Sequence, residues 1–483
     1  MPMLQPLACG VQVEVVLSVG DTVRGDTGAY RMVGIPDGLG LLTHEDGTAT
    51  LFVNHELRGR EGVVRAHGAR GAFVSRWTLA PGGQVVHGED LIRRVLLYDP
   101  QQQDWRAATT TFERFCSADL PAPGTLRYGG LGTTERLLLN GEETTARWST
   151  ARRYGRAFAH VVTGPLAGTS YELPHLGKLA FENVLLHPDA GPLSIAMLPD
   201  DADAGHNFTR SGPLLHLHPP SELYVYVGTK QAHGNPVERA GLANGRLYGV
   251  RVEGLRAEDP AYGLGHDRYR RAARFTLVDL GDQSTDRDGK RLQEASVAKG
   301  VTQFRRLEDG VWDPHDRNVF WVVTTDRPGG ASRLWRLRFD DIEQPVRGGR
   351  IEIALEGREH GIEQMDGLTA DPWGRLLIQE DPRGDRLARI WLFEPASGRV
   401  TAVAQTNPAL FGPQGDPLTT DEETTGIIPA FDFLGAGAYL LAVQAHAPTG
   451  DAETVEQGQI LVLRVPRRHS AGCTPLEELR SGP

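Results

Sequence analysis

Short apolar runs that end in acids recur along this chain. Leu137-Leu138-Leu139-Asn140-Gly141-Glu142-Glu143 shows the pattern most plainly: three leucines, then a turn residue and two adjacent carboxylates. Related runs begin at Thr50, Leu193, Asn318, Arg375 and Tyr439. Each is answered after a variable loop by a second β-branched or aromatic run, beginning at Ala72, Arg156, Glu222, Arg333, Ala388 and Gln459. Runs of this length and composition, bounded by Gly, Pro and Asp, predict strands. Helical periodicity is scarce.

The last four units carry a further run upstream, opening at Glu182, Glu308, Asp366 and Glu423. An acid, a strand, a turn, a strand, a loop and another strand make a propeller blade. The expected fold is all-β, a single six-bladed β-propeller over residues 1–466 with a C-terminal tail at 467–483. Its units are longer than the roughly 40–45 residues of a WD40 blade, which requires insertions, placed near 230–300 and 400–420.

Composition agrees. The 58 glycines and 31 prolines punctuate the whole chain, as many short strands and turns require. A net charge of −11 argues against nucleic acid or anionic membrane as partner. An anionic substrate is still allowed, because a bound metal inverts the local sign. No apolar run approaches a membrane span, and no signal peptide is visible. Three cysteines, Cys9, Cys116 and Cys473, are too few for a disulfide framework. Cys9 and Cys473 lie near opposite ends, which a ring fold brings together, so a disulfide between them competes with two separate thiols.

Acids opening the innermost strands converge near a propeller's axis. Two carboxylates about 4 Å apart repel by roughly 4 kcal/mol at an effective dielectric near 20, so a group of them either protonates or holds a hard cation. All-oxygen ligation suits Ca²⁺ or Mg²⁺, and Ca²⁺ tolerates an irregular cage. For any single acid the competing reading is a residue capping a turn.

Six words in order along the chain resemble the PhoX-type alkaline phosphatases. They are Phe112 to Ser117 with Asn140-Gly141-Glu142-Glu143; Leu176 to Glu182; Met197-Leu198-Pro199-Asp200-Asp201; Phe304-Arg305-Arg306-Leu307-Glu308; Met365-Asp366-Gly367-Leu368 with Gln379-Glu380-Asp381; and Asp421 to Gly426 leading to Val443-Gln444-Ala445-His446. The resemblance implies a six-bladed propeller with a ferric iron and calcium centre that hydrolyses phosphate monoesters. It implies Glu142, Glu143, Glu182, Asp201, Glu308, Asp366, Glu380 and Glu423 as metal ligands. Arg306 is implied as the phosphate-binding residue, with Glu182 beside it in catalysis, and a planar fork of donors suits that role.

Two departures stand out. Gly141 occupies the place of the family's thiolate, and Phe181 that of a histidine before Glu182. Both favour a calcium cluster over the full iron centre. Cys116 could supply a thiolate from the preceding loop, although a buried structural cysteine is the reading preferred on sequence alone.

Other features carry weaker signals. His216 and His218 share a strand face without a third ligand in view, and Asn54-His55-Glu56 stands between site rim and turn chemistry. Trp77, Trp148, Trp312, Trp321, Trp335, Trp373 and Trp391 fit inter-blade packing. No G-x-S-x-G, Walker A or H-E-x-x-H word occurs. The function expected is a calcium-dependent phosphatase acting on small phosphate esters, monomeric and, by the resemblance, periplasmic or secreted. A lactonase-like propeller hydrolase and a non-catalytic, calcium-stabilised binding propeller are the alternatives.

Overall fold

The computed structural model describes residues 1–202, 220–258, 272–384, 386–413 and 416–467. His216, His218 and Cys473, and with Cys473 any pairing to Cys9, lie outside the described residues.

The chain is all-β, with a propeller-like arrangement of mainly antiparallel sheets. Six strands form sheet edges: β1 (Pro36–Thr43), β2 (Phe115–Asp119), β3 (Leu185–Leu186), β4 (Leu307–Trp312), β5 (Met365–Ala370) and β6 (Glu422–Pro429). They meet in a ring: β1 lies against β2, β2 against β3, β3 against β4, β4 against β5, β5 against β6, and β6 against β1. Strands β3 and β4 are the two edges of one long sheet, joined where Ala273–Gly281 pairs with Gly349–Glu356.

Alternation of apolar residues on both sheet faces buries a core between neighbouring sheets. Phe52, Phe112, Phe115 and Phe158 fill the one between the sheets of β1 and β2, and Leu377, Ile390, Leu441 and Leu461 the one between the sheets of β5 and β6. The N-terminus closes the ring. Leu4–Pro6 pairs with Arg399–Thr406, and Gln12–Ser18 pairs with Glu456–Arg464.

Within the expected insertion at 230–300, Arg246–Val252 and Ala273–Gly281 extend the sheet of β3, and among the described residues the helices Pro236–Arg239 and Lys290–Lys299 lie outside it. The tryptophans also divide. Trp77, Trp312, Trp321, Trp335 and Trp391 sit in the cores, but Trp148 is 65% exposed and packs between no sheets. No helix among the described residues is long and apolar enough to cross a membrane.

Candidate metal centre

One local construction, repeated around the ring, builds the site. The residue before β1, β2, β4 and β5 has a positive φ: Ile35 at 50°, Arg114 at 47°, Arg306 at 58° and Gln364 at 45°. Non-glycine residues rarely adopt this region, and where they do they concentrate at functional sites. Each of the four carbonyls accepts a backbone N–H from the neighbouring strand's end, donated by Glu56, Glu143, Thr325 and Asp381 respectively. A β-bulge follows at once, between Pro36 and Leu39, Phe115 and Ala118, Leu307 and Gly310, and Met365 and Leu368. Bulges re-aim side chains, and the second residue of each strand is turned into the ring.

Those second residues are Asp37, Cys116, Glu308 and Asp366, and Glu423 occupies the same position in β6. Glu182 takes the corresponding place before β3, its N–H donating to Pro199 O at 3.2 Å. A second tier comes from the ends of the next strands, with Glu56, Glu143, Asp201 and Asp381. All of them but Asp37 line a cavity of about 650 Å³ open to solvent.

Ligand atoms lie within 4.8 Å of one another in four overlapping sets: Asp37, Glu56 and Cys116; Cys116, Glu143 and Glu182; Glu182, Glu308 and Asp366; Asp366, Asp381 and Glu423. Burial, reinforced by neighbouring acids, pushes the carboxyls of Asp37, Glu182, Asp366 and Glu423 well above the ordinary range. Burial also raises Glu143 and Glu308 against the opposing pull of Arg114 and Arg306. Asp381 is pushed up by burial to about 6.

Two guanidinium groups enter the cluster. Arg114 Nη2 pairs with Glu56 at 2.6 Å and Glu143 at 2.7 Å. Arg306 Nη2 pairs with Asp201 and, at 3.2 Å, with Glu308, while its side chain stays 30% exposed to the cavity. These acids outnumber the two cations paired with them. Among the described residues no hydrogen-bond donor reaches Glu182 Oε2, Asp201 Oδ1 or Asp366 Oδ1, all buried. Buried carboxylate oxygens without donors are costly unless a cation or a proton takes them, so this donor set suits metal ions.

Six of the eight acids expected as ligands are brought together: Glu143, Glu182, Asp201, Glu308, Asp366 and Glu423. Glu142 and Glu380 are not. Glu142 points the other way across the strand and is bound by Arg153 and Arg156; burial raises its carboxyl, but the two arginines outweigh it and hold it at about 2. Glu380 accepts from Arg386 at 2.6 Å and from the N–H groups of Glu363 and Arg389. Both are acids with complete structural partners.

Cys116 is buried, as expected, and the fold also sets its sulfur among the acids. It is a free, buried cysteine inside the carboxylate cluster, its Sγ donating to Asp37 Oδ2 at 3.4 Å. The thiol therefore enters from β2, although Gly141 lacks one. Asp37, Glu56 and Asp381 complete the site without having been expected as ligands. A signal for Asp37 was present: Pro36-Asp37-Gly38-Leu39 repeats Met365-Asp366-Gly367-Leu368.

No protein family matches the sequence, and no curated protein matches it. Solved structures do. A structure of Pseudomonas fluorescens PhoX in complex with vanadate, a transition state analogue, superposes with a TM-score of 0.66 over 96% of both chains at 14% identity. The fold resembles that of PhoX. A protein of unknown function from Dyadobacter fermentans matches at a TM-score of 0.46 and 9% identity, covering 96% of this chain and 100% of that one. The buried acids and thiol could coordinate a metal ion, on a fold that resembles that of PhoX.

Proposed function

We propose that the protein is a metal-dependent hydrolase of phosphate monoesters, and that its six edge strands head the six blades of one propeller over residues 1–466. The observation that carries the reading is the meeting, at one solvent-open cavity, of donor-less buried carboxylate oxygens, the Cys116 thiol and the partly exposed Arg306 guanidinium. Calcium suits the irregular oxygen cage formed by Asp201, Glu308, Asp366, Asp381 and Glu423. Cys116 adds a softer donor beside Glu143 and Glu182, a mixed set that iron accepts. Metal ions held there would supply Lewis-acid stabilisation of phosphoryl oxygens and a nucleophile activated at neutral pH.

The chain's own residues divide the remaining work. Arg306 offers a planar donor fork to an anionic phosphoryl group, and Asp201 and Glu308 hold it at the cavity wall. Its left-handed backbone turns it inward one residue ahead of the β4 bulge. Donors fixed before the substrate arrives stabilise developing charge without reorganisation. Glu182 carries one oxygen accepting from Ser117 Oγ at 2.7 Å, and its other oxygen has no donor among the described residues. It is thus oriented and still able to bind a metal or take a proton.

That PhoX is described with vanadate supplies a probe. Hydrolysis of p-nitrophenyl phosphate should be inhibited by vanadate, lost on chelation and regained with Ca²⁺. Lactone hydrolysis without phosphatase activity would transfer the site to the alternative hydrolase. The protein is proposed to act as a monomer in the periplasm or outside the cell, where free calcium is plentiful.

A further inference from the structure

Beside the main cluster, one residue along the chain from Asp201, lies a second group of buried polar atoms. In the sheet of β3, strand Leu193–Pro199 pairs with Ser221–Thr229 so that Leu198 faces Tyr224 and Pro199 faces Leu223. One further step sets Asp200 beside Glu222. Side chains directly opposite across an antiparallel pair are close neighbours, and like charges there repel.

Both carboxyls are fully buried, and neither has an ion-pair partner among the described residues. Helix Lys290–Lys299 covers them. Its Gln293 Nε2 approaches Asp200 Oδ2 at 3.4 Å, and its Ser296 Oγ is 3.0 Å from the Tyr224 hydroxyl, which donates to Glu222 Oε2 at 2.6 Å.

Three oxygens around this pair have no hydrogen-bond partner among the described residues: Glu222 Oε1, Gln293 Oε1 and the Tyr154 hydroxyl. All three residues are buried. The Tyr154 hydroxyl is near enough to both carboxylates for them to oppose its ionisation, after burial itself. An orphaned amide oxygen is the informative atom. A side-chain amide carries an oxygen as well as its NH₂; here the NH₂ is turned to Asp200 and the buried oxygen is left without a donor, which is costly unless a cation or a proton takes it.

We propose that Asp200, Glu222 and Gln293, with the Tyr154 hydroxyl, form a second, closed site for a hard divalent cation, with Ca²⁺ as its ion. Two carboxylates balance its charge, and an irregular set of neutral oxygens suits calcium better than magnesium, which demands near-octahedral geometry. Its role is to fasten helix Lys290–Lys299 to the sheet that presents Asp201. The site stands on its own residues and does not depend on phosphatase activity at the main cluster.

The test is calcium stoichiometry of the full-length protein after equilibration with Ca²⁺ and desalting, compared with Glu222→Gln. The variant should lose one calcium per chain and much of the calcium-dependent rise in melting temperature. Its iron content and p-nitrophenyl phosphate turnover should stay within about twofold of the parent. Unchanged calcium stoichiometry, or a variant that melts higher with its calcium retained, would mean that the pair is simply protonated and would overturn the proposal. Should Glu222→Gln not fold, Gln293→Leu removes the amide oxygen while keeping the helix's apolar contacts; it should weaken the same equivalent, and calcium binding equal to the parent's would again be decisive. Loss of iron and turnover in the parent itself would count against the main centre and not against this site.

Discussion

A Cβ on Gly141 would lie 2.2 Å from Cβ of Phe181 and 2.5 Å from its Cγ. The two departures from the PhoX-like words are therefore one packing arrangement: the phenylalanine occupies the space beside the glycine. Phe181 is fully buried against Leu139, Ala157 and Leu179, so it has no room to retreat. Gly141→Cys should not rebuild a metal ligand. It should cost stability on the scale of core overpacking, about 1–3 kcal/mol or more, with no gain in bound iron. Urea denaturation checks the first half, and a variant as stable as the parent would show that Phe181 can move.

Arg306 should matter in proportion to its fork. Arg306→Ala should lower kcat/KM for p-nitrophenyl phosphate by about 10²–10³, the usual range for a lost charge-stabilising donor. Arg306→Lys should recover little, because an ammonium keeps the charge but not the paired donors. Full activity in the alanine variant would remove Arg306 from the site's chemistry.

Acid sensitivity should trace partly to His160. Its Nε2 is 2.8 Å from Asn140 Oδ1 and its Nδ1 2.6 Å from Ser170 Oγ. Asn140 donates in turn to Asn54, which donates to the carbonyl of Cys116. Burial pushes the imidazole down from 6.5 to about 3, so the folded state holds it neutral while the unfolded chain protonates it. Stability from this group is intact above pH 6.5, erodes as pH falls, and by pH 3 the loss reaches up to about 4–5 kcal/mol. His160→Gln should flatten that slope in denaturation curves between pH 6.5 and 3. An unchanged slope would assign the acid sensitivity elsewhere.

Trp148 stands exposed at the mouth of the cavity, beside Arg58 and Thr144. An exposed ring there suits stacking of a flat leaving group. Trp148→Ala should raise KM for aryl phosphates several-fold while leaving that for a small alkyl phosphate unchanged, with kcat little affected in both. Equal effects on the two substrates would make the residue a general support of the rim.

Much of this was legible in the sequence because strands and their closing acids repeat. Glu182, Glu308, Asp366 and Glu423 open matching runs, and they converge. What misled was period and register. Glu142 and Glu143 are adjacent, so they point to opposite faces of one strand, and nothing in the sequence says which face holds the arginines. Cys116 is read as structural because its partners are distant in the chain. Only the pairing of Phe115 with Glu142 across a hairpin, and the bulge that follows, brings its sulfur beside Glu143 and Glu182. Bulges shift register by one residue, and no composition rule marks them here except the recurring Asp-Gly of β1, β4 and β5.

The central claim is that these side chains form a metal centre in which Cys116 is a ligand. Elemental analysis of the purified protein beside its Cys116→Ser variant tests it directly. The parent should carry both calcium and iron in near-integral amounts, and the variant should keep calcium while losing at least nine-tenths of the iron. A parent free of both metals, or a variant with the parent's iron content, would contradict the account.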